Sequence, residues 1–348
     1  MKYSSALLLM LMIVGVALPV RASPQILAGP GILFRGVNLA GAGFDSETLP
    51  GRYGVNYIYP THAEMDYFLA KRMNIFRLPF RWERLQPRLF ESFNAAELDR
   101  MDNFVTQATR RGATVILSPQ NSARYYGQLI GSPAAPTTAL VDFWGRLAAH
   151  YQSNPQVIFS VMNEPHTMPT ETVRDLANSA ISAVRRRGAT NLVLISGNGW
   201  SGAHSWNQTW YGTANGVAML GITDPGQNYA FEVNQYLDDD ASGATDTCVS
   251  QTIGSQRLTE FTNWLREHQQ RGFLGKFAGG RNETCLAALD DMLTYLDGNS
   301  EVWLGWTYWA AGPWWGDYSF SLEPLGGQDR PQMIPLSRHL LNSANTDQ

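Results

Sequence analysis

Short apolar runs alternate along this chain with longer stretches whose apolar residues recur every three or four positions. The runs Phe34–Ala40, Ile75–Phe80, Thr114–Ser118, Val157–Met162, Asn191–Ser196, Tyr229–Gln235, Phe273–Phe277 and Val302–Tyr308 predict strands. Helical periodicity predicts helices over Glu64–Arg72, Leu98–Arg111, Ala139–Tyr151, Thr172–Arg187, Arg257–Gln270 and Leu286–Leu296. Several stretches close with a basic residue followed by glycine, as at Arg110-Arg111-Gly112 and Arg186-Arg187-Gly188. Cations suit the negative end of a helix dipole, and glycine suits the left-handed turn that follows it. Eight strands with helices between them predict an α/β fold, a single-domain (β/α)₈ barrel. A doubly wound open sheet is the alternative, but no glycine-rich dinucleotide fingerprint follows the first strand.

The strand ends carry the polar chemistry. Val157–Met162 is apolar or small throughout and stops at Asn163-Glu164-Pro165, where proline can add no ladder hydrogen bond. A carboxylate and an amide thus stand at the carboxyl end of the fourth strand, the end at which a parallel barrel carries its chemistry. Arg77 lies in the second strand, and Gln120 and Asn121 follow the third. Asn198 and Trp200 follow the fifth, Asn234 and Tyr236 end the sixth, Lys276 lies in the seventh, and Trp309 follows the eighth. In a barrel these groups converge on one mouth, as a polar and aromatic groove.

Composition narrows the partners. Charged residues make up 16% of 348 residues and the net charge is −4, so neither nucleic acid nor an anionic membrane is expected as a partner. The 11 Trp and 14 Tyr offer flat faces that suit pyranose rings. Met1–Ala22 has a charged start, an apolar run over Ala6–Val16 and small residues around Ala22, the form of a secretory signal. Residues 23–348 are then the mature domain, extracellular or periplasmic. Cys248 and Cys285 are an even pair for an oxidising compartment and are expected to be bridged. They make a poor metal site, and no metal or cofactor is expected.

From about Gly36 to Met333 the chain resembles glycoside hydrolase family 5, in particular its cellulases, the endo-β-1,4-glucanases. RGVNLAG, FRLPFRWERLQP, NSARYYG, NPQVIFSVMNEPH, GNGWSGAHSW, NQYLDDDASG and VWLGWTYWAAGPWWGDYSFSLEP are similar to that family's blocks and stand in its order. The resemblance implies a barrel with an open cleft for β-1,4-glucan, cellulose or cello-oligosaccharides, acting as a monomer. It also implies retaining hydrolysis, which uses two carboxyl groups ~5 Å apart, one protonating the leaving oxygen and one attacking the sugar. On this resemblance Glu164 takes the acid/base position, Asn163 neighbours it, Arg77 lies beneath the nucleophile, Tyr236 beside it and Trp309 under the reacting sugar. Asn121 matches a further sugar-binding position, and Gln120, Trp200 and Asn234 complete the expected substrate site.

The resemblance breaks at the reaction centre. The family's seventh-strand block LGEF reads Leu274-Gly275-Lys276-Phe277, so Lys276 stands where the nucleophilic glutamate is expected. Gln120 and Asn234 stand where histidines are usual, and Ser122 where closer relatives carry tyrosine. A protonated lysine has no lone pair to offer and is expected to pair with Glu164, leaving a poor proton donor. The expectation is a cellulase-like protein that binds β-glucan but hydrolyses it poorly or not at all. The alternatives are a working endoglucanase using a substitute carboxylate, and an interaction protein that no longer binds sugar. For a substitute, Glu283 reads as first-turn helix, and Asp238 and Asp239 as a solvated acidic loop.

Overall fold

The computed structural model describes residues 31–340; the expected signal at 1–22 lies outside them. Eight parallel strands close a barrel: β1 Phe34–Leu39, β2 Ile75–Phe80, β3 Thr114–Pro119, β4 Val157–Ser160, β5 Val193–Ser196, β6 Tyr229–Tyr236, β7 Gly272–Ala278 and β8 Trp303–Ala311. Each strand pairs with its sequence neighbours and β8 closes onto β1. All eight expected strands are present, with ends moved by up to three residues, the largest shift being the eighth strand's end at Ala311 rather than Tyr308. The fifth begins at Val193 rather than Asn191, whose side-chain amide instead donates to the carbonyls of Asn154 and Val157, each at 2.8 Å.

The six expected helices form as His62–Ala70, Ala95–Arg110, Thr137–Tyr151, Thr170–Arg186, Ile253–Glu267 and Glu283–Gly298. Thr170–Arg186 shows why: Val173, Leu176, Ala177, Ala180, Ile181 and Val184 lie on one stripe and are buried. Two of these helices start on side-chain caps, Asn94 accepting from the Glu97 amide and Asn282 from the Cys285 amide. Between β5 and β6 the chain forms only single turns, including Asn215–Ala218. That turn, the helices Trp82–Leu85 and Met333–Arg338, and a two-residue hairpin at 124–129 are too short to show a period.

Inside the ring the side chains fall into layers. Ile75, Ile116, Ile158, Leu194, Ala230, Phe273 and Leu304 form a separate apolar cluster. On the same strands, nearer their carboxyl ends, follow Arg77, Ser118, Ser160 and Glu232, all buried and polar. The mouth lies beyond these.

Candidate functional site

The polar layer is a continuous network. The Arg77 guanidinium, with 0% exposure, donates to Glu232 Oε1 (2.8 Å), Asn38 Oδ1 (2.9 Å), Ser118 Oγ (2.7 Å) and Asn163 Oδ1 (3.0 Å). Ser160 donates to the other Glu232 oxygen at 2.5 Å. The amide of Asn38 donates to the carbonyls of Gly275, Thr307 and Tyr308, tying β1 to β7 and β8. Buried charge in this layer is thus paired and hydrogen-bonded on every side. Neither Glu232 nor Asn38 was singled out from sequence, because each is one polar residue in an otherwise ordinary strand.

One irregularity sets the orientation of Lys276. Val233 pairs with Leu274, but Asn234 pairs with Lys276, so Gly275 is an extra residue on β7. Strict alternation would turn Phe273 and Lys276 to opposite faces; the bulge resets the phase and both face the interior. Glycine is required at the bulge, since a Cβ there would lie 2.3 Å from Glu232 Oε1.

At the mouth the Lys276 ammonium forms an ion pair with Glu164 Oε1, as the sequence led us to expect. Asn234 Nδ2 donates to that same oxygen at 2.9 Å and to the Trp200 carbonyl at 3.2 Å. The lysine Nζ also sits 4.9 Å from the centre of the Trp309 ring. Lys276 is 3% exposed, and burial pushes its pKa down; Glu164 opposes this and Arg77 adds to it. Glu164 leaves β4 with φ of 50°, a left-handed turn that glutamate rarely adopts.

Glu164, Lys276, Asn234, Tyr236, Trp200 and Trp309 line one cavity of about 480 Å³. Burial raises the Tyr236 hydroxyl far above its ordinary value, and its ring stacks on Phe320 at 6.4 Å. Trp200 is 45% exposed and lies parallel to His166 at 4.7 Å. Burial and Arg124 together lower the pKa of His166. Trp309 also borders a second pocket of about 230 Å³, shared with Gln120 and Arg81, so one ring is wall to both halves of a groove.

Three residues of the expected site line neither of these pockets. Arg77 and Asn163 lie under the cavity, bonded to each other rather than open to a ligand. The Asn121 side-chain amide turns into its own loop, donating to the Arg124 carbonyl at 2.5 Å. The acidic loop after β6 corrects a further expectation. Asp238 is buried, not solvated: it accepts from the amides of Gly243, Ala244 and Thr245 and fixes the loop. Asp240 instead faces the cavity, with His204 and Trp210, which sequence reasoning also passed over. Cys248 and Cys285 are bridged. Among the described residues, no group of three or more His, Cys, Asp or Glu is placed to hold a metal ion.

A closed parallel barrel with an aromatic groove and a glutamate at the end of its fourth strand is the architecture of a barrel glycoside hydrolase. The family model for cellulase (glycosyl hydrolase family 5) matches residues 37–312, and the chain belongs to that family. It is 44% identical over 294 residues to endo-beta-1,4-glucanase A of Emericella nidulans, covering 84% of this chain and 87% of that protein. Endo-beta-1,4-glucanase B of the same fungus is 40% identical over 307 residues, covering 88% and 90%. Among solved structures, XacCel5A in complex with cellopentaose matches with a TM-score of 0.87 at 44% identity, covering 88% of this chain and 99% of that one. An endo-beta-1,4-glucanase from Xanthomonas axonopodis pv. citri matches with a TM-score of 0.87 at 45% identity, covering 89% and 98%.

Proposed function

We propose that this chain is an exported cellulase-type protein that holds β-1,4-glucan in its cleft and is hydrolytically impaired by Lys276. The ligand class is supported by the aromatic groove and by XacCel5A, which was captured with cellopentaose. The impairment is carried by one observation, the Lys276–Glu164 ion pair. In a retaining scheme the group opposite the acid/base is an anion, which attacks the sugar and stabilises the positive charge that develops on it. An ammonium does neither. With an effective dielectric near 20, a unit charge ~4 Å away is worth roughly 4 kcal/mol. Reversing its sign raises the barrier by about twice that, on the order of 10⁶-fold in rate.

Other carboxylates are poorly placed to substitute. Glu232 is engaged by Arg77 and Ser160 below the cavity, Asp238 by its own loop, and Glu283 stands in the first turn of its helix. Asp240 lies at the open rim, where hydrogen bonds from Ser242 hold its pKa below the usual carboxylate range, making it a weak base. Export rests on the leader-like residues 1–22 and is consistent with the disulfide.

The test is Lys276→Glu, assayed for reducing ends released from soluble cellulose derivatives. The expected result is background turnover in the wild type, a gain of at least about 100-fold in the variant, roughly 3 kcal/mol of barrier, and calorimetric binding of cello-oligosaccharides by both. Wild-type turnover that disappears in Glu164→Gln would refute the impairment. Failure of both proteins to bind cello-oligosaccharides would remove the ligand.

A further inference from the structure

The chain contains 23 arginines but only three lysines, Lys2, Lys71 and Lys276. Its buried basic residues, among those described, are Arg77, Arg84, Arg330 and Lys276. Where only a charge is needed inside, arginine serves; Lys276 alone brings a side chain that becomes a nucleophile when it loses a proton. That amine projects into a cavity of about 480 Å³, against an aromatic ring and in contact with a carboxylate. Desolvation, a neighbouring guanidinium and a carboxylate able to relay protons are the conditions under which lysines attack carbonyl carbon.

We propose that Lys276 is an imine-forming lysine that reversibly captures the aldehyde of a small hydroxyaldehyde or open-chain aldose admitted to the cleft. This goes beyond the hydrolytic reading and rests on it only in taking the cleft as a place for sugars. Glu164 first takes a proton from the ammonium, freeing the Nζ lone pair. Nitrogen then bonds to the aldehyde carbon while Glu164 returns that proton to the carbonyl oxygen, giving a carbinolamine. Glu164, again a carboxylate, takes a second proton from nitrogen and delivers it to the hydroxyl. The C–O bond breaks and water leaves. In sum, ammonium plus aldehyde gives protonated imine plus water, and no oxidant or reductant is consumed. The lowered pKa of Lys276 supports the first proton transfer.

The test uses the full chain with glycolaldehyde and cyanoborohydride, which reduces the imine to a stable secondary amine, followed by peptide mass mapping. Lys71, a surface residue paired with Asp329, is the internal reference. Labelling of Lys276 at least about tenfold faster than Lys71 is expected, roughly 1.4 kcal/mol in barrier. Labelling no faster than Lys71 would overturn the proposal, and this ratio needs no variant. Lys276→Arg keeps the charge and should show no adduct at that peptide. Glu164→Gln should slow labelling at 276 several-fold, and an unchanged rate would overturn the proton role. Cellopentaose calorimetry on the same preparation reports separately on glucan binding, so either reading can fail without the other.

Discussion

Two cation–carboxylate pairs stand one above the other in this barrel, and burial separates their roles. In the lower pair, Arg77 and Glu232 are 0% and 2% exposed at the side chain, and each has further hydrogen bonds. Arg77→Ala strands a buried carboxylate and should cost about 3–5 kcal/mol, measured by urea denaturation. In the upper pair, Glu164 is 20% exposed at the side chain and opens onto the cavity, where a ligand can reach it. Glu164 was legible because Asn163-Glu164-Pro165 follows a short apolar run, although a Glu-Pro pair alone reads equally well as a loop opening and only the blocks around it tip the balance. Lys276 was legible only through its block: alternation from Phe273 would have turned it outward, and only the Gly275 bulge brings it in. Glu232 carried no local signal, since its partners Arg77 and Ser160 lie 155 and 72 residues away.

Elements were legible where they were long enough to repeat. Strands of four to nine residues and helices of nine or more appear as expected, while single turns and the 124–129 hairpin, too short to show a period, do not. The helix Met333–Arg338 shows what such an element depends on. His339, just beyond it, meets Asp297 at Nδ1 (2.7 Å) and Asp290 at Nε2 (3.3 Å), with Arg338 also on Asp290 and Arg35 near Asp297. Burial alone would lower the pKa of His339, but the two carboxylates overcome it and the net shift is upward from 6.5. A raised folded pKa means the native state holds this proton more tightly than the unfolded chain does. The resulting stability is complete below pH 6.5 and is lost as pH rises through the folded value. Melting temperature should therefore fall across that window in the wild type, and by less in His339→Phe. The Cys248–Cys285 bridge, spanning 37 residues, ties the rim loop to the helix after β7. Replacing both cysteines with serine should cost about 2–4 kcal/mol in thermal unfolding while leaving cello-oligosaccharide specificity unchanged.

At the scale of the whole molecule, the groove runs across the barrel mouth, with Trp200 on one side of the ion pair and Trp309 bordering both pockets. Trp200→Ala should weaken cellopentaose binding about tenfold, or 1.4 kcal/mol, by calorimetry. Trp309→Ala should have the larger effect, because it removes the wall shared by both halves. The hydrocarbon plug at the opposite end, Ile75, Ile116, Ile158 and their neighbours, shares no residue with this groove. Closure of the ring is thereby entrusted to one floor and ligand chemistry to another. The upper storey can thus hold a buried ammonium against a carboxylate while the floor beneath it keeps the vessel closed and in shape.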